Sequence, residues 1–204
     1  MIPSYNPPYD SPIEDSFAYN MVKYIDPEAK LIPQYKVHTI CGNFVIDFLC
    51  VTSDGKKIGI ECDGKEFHDD SRDEWRDAMI LGDEKVDSIY RFRGCEITYS
   101  INEILYIFSL YEPMLFSSRG RSNIKLLCNE QLHNVSLKYH DGLFLREIYD
   151  SDIDNYKMIY IEHRHRNIPK NKRAFWQACY SYAKKIGGGN IDMVISSYRS
   201  DQNI

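Results

Sequence analysis

Glu61-Cys62-Asp63-Gly64 ends an apolar run, and Lys65 and His68 follow within a few residues. A buried strand that ends in two acids needs a cation or hydrogen-bond donors, because desolvating a carboxylate is costly. A second apolar run, Phe44 to Cys50, carries one acid, Asp47, in its middle. Two neighbouring strands that each bring a carboxylate to the same place make a site for a hard divalent ion such as magnesium. Asp47 and Glu61 are the expected pair, and the Cys62 carbonyl is a neutral oxygen beside them. The chemistry this set serves is phosphodiester hydrolysis, in which a metal polarises the phosphoryl oxygen and acidifies a water. A basic side chain then orients the water and offsets developing charge, and Lys65 and His68 are at hand. With an unperturbed pKa near ~6.5, His68 exchanges protons at neutral pH.

The surrounding pattern predicts the elements that hold these residues. Ser11-Pro12 opens a helix, with Ser11 as N-cap, Pro12 at the first helical position and Glu14 where a capping-box acid sits. Strands are expected near 34–40, 43–52 and 56–62, joined by tight turns at 41–43 and 53–55. Alternation along the middle strand puts Val45, Asp47 and Leu49 on one face, and Glu61 shares a face with Asp63. A helix follows at about 70–87, a strand at 88–92 and a helix at 98–111 that Pro113 stops. The expected class is α/β, with an α-β-β-β-α-β-α order over residues 1–115.

Asp47 with Glu61-Cys62-Asp63-Gly64 and the downstream His68 resembles the PD-(D/E)xK nuclease superfamily. Within it, the pattern is similar to the branch of the very-short-patch-repair endonuclease, where E-x-D-G with a histidine replaces D/E-x-K. Ser11-Pro12-x-Glu14, Gln34, Asp73-x-x-Arg76-Asp77 and Tyr90-Arg91-Phe92 fit the same order, so the resemblance covers about 11–112. It implies a restriction-endonuclease-like core and a magnesium-dependent DNA endonuclease, with manganese able to substitute and 5′-phosphate and 3′-hydroxyl products. It implies that Asp47 is the main metal ligand, Glu61 the second and Glu14 a helix glutamate that completes the site. His68 would assist the nucleophile or leaving group. Asp73, Arg76 and Asp77 would support the site, with Arg76 near phosphate. Asp63 stands where the superfamily carries its lysine, and Lys65 is the nearest replacement. His68 follows Gly64 one residue later than the pattern has it. Capping alone would also explain Glu14, and helix-surface ion pairing would explain Asp73, Arg76 and Asp77.

The remaining residues, 116–204, read as a smaller basic α+β region, an accessory domain for nucleic acid or a partner. Residues 1–115 carry 21 acids and 11 Lys or Arg, whereas 116–204 carry 9 and 14. An acidic metal-binding half beside a basic half suits a polyanion such as DNA. Arg164, Arg166, Lys170, Lys172 and Arg173, with Tyr156, Tyr160 and Phe175 nearby, form a candidate nucleic-acid grip. The same run also reads as a solvated strand end. His163 and His165 alternate without a third ligand, so a metal pair is not expected there. Residues 117–122 read as a linker. Strands are expected at 125–128, 135–139, 143–149, 156–162 and 191–196, with a helix at 171–186. The six cysteines are scattered singly and read as buried thiols of a reducing compartment. No apolar run approaches a membrane span, and the first residues lack the pattern of a secretory signal. A cytoplasmic protein of bacterial or phage DNA repair, restriction, defence or mobility is expected, with the C-terminal region open to a homodimer or protein partner. The rivals are a catalytically inactive nucleic-acid-binding or interaction module of the same fold, and a nuclease that acts on RNA.

Overall fold

A computed structural model describes residues 5–64, 70–135, 142–167 and 175–202. Ser11 accepts from the Glu14 amide and starts α1 (Pro12–Met21). Three strands follow as an antiparallel meander: β1 (Lys30–Thr39), β2 (Gly42–Val51) and β3 (Lys57–Asp63). Helix α2 (Asp70–Gly82) carries the chain over to β4 (Ser88–Arg93), which runs parallel to β3. The helix expected at 98–111 is broken at Ser100 into α3 (Gly94–Tyr99) and α4 (Ile101–Tyr111). The order of the first half is therefore the one its hydrophobic periodicity predicts.

Residues beyond 115 complete the same sheet. Strands β5 (Gly142–Asp150) and β6 (Asn155–His165) form a hairpin, and β6 pairs antiparallel with β4. The result is a mixed six-stranded sheet in the order β1-β2-β3-β4-β6-β5. Its two faces are apolar and both carry helices, as an α/β architecture requires. Phe48, Ile60, Phe92 and Ile161 pack under α1, α4 and α5 (Ser118–Leu127). Ile46, Leu49 and Ile89 pack under α2, α6 (Phe175–Lys185) and α7 (Ile191–Asp201). Among the described residues no helix is long and apolar enough to cross a membrane.

Three expectations for the second half are corrected. The linker of 117–122 and the strand of 125–128 are together one helix, α5, capped by Ser117, whose hydroxyl accepts from the Gly120 amide. The strand of 191–196 is helix α7. Asn190 accepts from the amides of Asp192 and Met193, and that cap decides between two readings of a short apolar run. The strand of 135–139 has only Val135 among the described residues, and it lies outside the strands. The 171–186 helix begins, as described, at Phe175. Of the cysteines, only Cys95 is exposed, and all six are free.

Gly120 explains how α5 docks. A Cβ at this position would stand 2.2 Å from the Tyr24 carbonyl oxygen, so only glycine allows the helix to lie this close to the end of the first helical segment. Gly120→Ala is expected to lower stability by about 1–3 kcal/mol through that clash. Ser122→Ala, on the exposed side of α5, should leave the melting temperature unchanged; thermal denaturation followed by circular dichroism compares the two.

Candidate active site

The site lies where β2 leaves β3. Their pairing runs from Val51↔Lys57 to Phe48↔Ile60 and stops one residue short of Asp47 and Glu61. Beyond that point the Asp47 carboxylate continues the ladder: its Oδ2 accepts from the Cys62 amide at 2.7 Å. The alternation of β2 changes phase at the same place. Phe44, Ile46 and Leu49 belong to the layer under α2, whereas Phe48 and Cys50 belong to the layer under α1. Asp47 therefore does not simply share the face of Val45 and Leu49, as regular alternation would have it. On the other side of β2, the β1 residue in register with Asp47 is Gln34, which has a positive φ of 49° and is skipped in the pairing. A non-glycine residue in that region carries strain that its surroundings must hold in place.

What holds Gln34 is Glu14. The Gln34 amide donates to Glu14 Oε2 at 2.9 Å, and the Ser11 hydroxyl donates to Oε1 at 2.7 Å. Glu14 is buried, with both carboxylate oxygens engaged in tying α1 to β1. Its capping role is thus real, and its charge also reaches Asp47.

Glu61 and Asp63 do share a face, toward α2. Glu61 is buried, and its Oε1 accepts from Arg76 at 2.6 Å; the same guanidinium donates to the Val45 carbonyl. Asp63 accepts from Arg91 at 3.2 Å. Arg91 sits on β4 in register with Glu61 and donates twice to Asp77, from Nε at 3.0 Å and from Nη2 at 2.7 Å. Arg164, from β6, donates to Asp77 Oδ2 at 2.7 Å, the oxygen that also accepts from Arg91 Nε. Asp73 lies 3.9 Å from Arg91.

These contacts set the electrostatics. Burial would raise the Asp77 carboxyl, but Arg91 and Arg164 outweigh it and hold the group below the usual carboxylate range. Asp47 and Glu61 are not matched in this way. Burial, with Glu14 and Asp63 adding to it, pushes Asp47 up to about 6 despite the Cys62 amide and Arg76. Burial and the charge of Asp47 push Glu61 up to about 8 against the pull of Arg76 and Arg91.

The other anticipated residues divide in two. Lys65, His68, Lys170, Lys172 and Arg173 lie outside the described residues. Arg76, Arg164 and Arg166 are described, and each is bound within the protein. Arg164 also contacts Glu162 and Glu74, and Arg166 meets Glu84 at 2.5 Å. His163 and His165 are buried, and His163 stacks on Tyr90 with ring centroids 4.1 Å apart. Among the described residues no three His, Cys, Asp or Glu side chains form a ready metal-ligand set. Glu14, anticipated as a third ligand, accepts from Ser11 and Gln34, one on each carboxylate oxygen.

Arg91 is the residue that spacing arguments missed as part of the site. Its signal was visible: an arginine inside Ser88-Ile89-Tyr90-Arg91-Phe92, where every neighbour is buried. Arg93, one turn of the strand further on, lies over the Tyr160 ring at 3.2 Å from its centroid. Comparison of the chain with protein-family models, curated proteins and solved structures gives no significant match.

Two outcomes test this electrostatic account. Arg91→Met should cost about 3–5 kcal/mol in denaturant unfolding, because it strips Asp77 of a buried partner. Asp47 has a folded-state pKa above its unfolded value, so its stabilising contribution is present below about 4 and lost as pH rises through about 6. Asp47→Asn keeps an acceptor for the Cys62 amide and avoids that loss. Its melting temperature should match that of the parent chain at pH 4 and exceed it at pH 7.5. An equal difference at both values would contradict the assignment.

Proposed function

We propose that this protein is a metal-dependent nuclease of the PD-(D/E)xK type that hydrolyses DNA phosphodiester bonds. The observation that carries the reading is the pair Asp47 and Glu61. Asp47 is half-buried and Glu61 buried, both lie just past the point where the β2–β3 pairing stops, and the charge of Asp47 reaches Glu61. The α-β-β-β-α-β order, with Glu14 on the first helix and Arg76 on the helix after β3, supports the same reading.

The donor chemistry fits magnesium or manganese. Both acids offer hard oxygens, and magnesium is commonly held by one or two carboxylates while it keeps several waters. Asp47 and Glu61 would hold the ion. When bound, it supplies Lewis acidity toward a phosphoryl oxygen and a water. The chain's own residues do the remaining work. The Cys62 amide fixes the Asp47 carboxylate by its Oδ2. Glu14 and Gln34 brace the β1 side of that carboxylate. Arg76 holds Glu61 and is the cation placed to meet an incoming phosphate. Asp63, in the place of the superfamily lysine, is held by Arg91 and serves to position that arginine rather than to take a proton. Lys65 and His68 remain the candidates for proton transfer. In this reading the protein acts on DNA in the cytoplasm, in repair, restriction, defence or mobility.

A second reading has a specific observation in its favour. Arg76 on Glu61 and Arg91 on Asp63 are internal pairings that suit a nucleic-acid-binding module that keeps the fold without turnover. Incubation of supercoiled, linear, single-stranded and branched DNA, beside matched RNA, with magnesium or manganese separates these readings. Cleavage of DNA is expected, and Asp47→Ala and Glu61→Ala should each lower it by roughly a thousandfold while the chain stays folded. Full activity in either variant would remove the proposed site. Binding without cleavage of any substrate would favour the inactive module, and preferential cleavage of RNA would reassign the substrate.

A further inference from the structure

The strongest unassigned feature is on the opposite face of the sheet from α2. A groove of about 410 Å³ runs between α4 and α5, lined by Ser109, Leu110, Pro113, Ser118, Arg121 and Lys125 among others. Arg121 and Lys125 are exposed and four residues apart, so they lie on one side of α5, about 6 Å apart along its axis. Arg119 adds a third exposed cation, and α5 carries no acid. Among the described residues none of the three has an ion-pair partner. This sets them apart from Arg76, Arg164 and Arg166, which are neutralised internally. The Gly120 contact fixes α5 against the body of the protein, so the cations sit on a rigid element.

We propose that the α4–α5 groove binds the phosphate backbone of nucleic acid, as a contact separate from the carboxylate site. The charge is complementary, and the spacing lets Arg121 and Lys125 meet successive phosphates of one strand. The groove is open and shallow, so an extended strand can lie along it beside the exposed Arg121 and Lys125. The hydroxyl of Ser118, the first residue of α5, lies at the helix end that favours anions. The segment read as a linker from its Ser-Arg-Gly-Arg-Ser sequence is thus part of a helix that presents exposed positive charge.

The contact is read by binding alone and does not depend on the nuclease reading. Fluorescence anisotropy of labelled single-stranded and duplex DNA, with EDTA present to prevent cleavage, measures it across a range of salt concentrations. Arg121→Gln/Lys125→Gln is expected to weaken binding roughly tenfold or more at low salt and to reduce the salt slope by about two. A circular-dichroism melt identical to the parent's shows that the double variant folds, and Arg121→Gln alone should lose about half the slope change. Unchanged affinity and slope in the double variant would overturn the proposal. So would parent protein that binds anionic vesicles but not DNA. Parent protein that binds DNA through these residues yet cuts nothing with magnesium would retain this inference and remove the nuclease reading.

Discussion

Asp77 has no exposure to solvent, and the arrangement around it governs the candidate site. A carboxylate in that position must have its charge matched by close donors. The match comes from Arg91 on β4 and Arg164 on β6, so one residue of α2 is tied to two strands that are far apart in sequence. This fixes α2 across the sheet and brings Arg76 over Glu61. It also commits the positive charge. Among the described residues, Glu14, Asp47, Glu61, Asp63, Asp73 and Asp77 lie near Arg76, Arg91 and Arg164, and Arg164 also meets Glu74 and Glu162, so acids outnumber the three arginines. Asp77 takes two of the three. Burial, which the remaining positive charge does not offset, pushes the carboxyls of both Asp47 and Glu61 upward. In the proposed reading a divalent cation, rather than a proton, offsets their charge.

The backbone has its own part in this. An antiparallel ladder that ran on past Phe48 and Ile60 would give the Cys62 amide to a backbone partner and leave Asp47 no role in the sheet. The strands separate instead, and the Asp47 side chain takes the amide. The phase change in β2 and the left-handed Gln34 on β1 occur at the same level. Glu14, through Gln34, couples the first helix to this break. The seam in the sheet and the acids that line it are therefore one construction, built from α1, three strands and α2.

Much of the first half could be read from local patterns, because each element there announces itself within ten or so residues. The Ser11-x-x-Glu14 cap, the tight turns around Gly42 and Gly55, and the apolar runs of β2 and β3 are signals of that kind. The acids Asp47 and Glu61 stood out because charge is rare in such runs. The ties of Asp77 did not, since Arg91 and Arg164 reach it across 14 and 87 residues. The phase change at Asp47 was hidden because alternation assumes a regular strand. In the second half, Ile191-Asp192-Met193-Val194-Ile195-Ser196 is too short an apolar run for its period to decide between strand and helix, and the Asn190 cap was the overlooked clue. Ser117–Ser122 read as a linker by composition, although its glycine is what packing requires.

In the proposed reading Asp47 and Glu61 together hold one divalent cation. Anomalous diffraction from crystals grown with manganese tests it most directly. A single strong peak is expected within bonding distance of carboxylate oxygens from both residues. Manganese density elsewhere, or none at all with Arg76 still bound to Glu61, would contradict it.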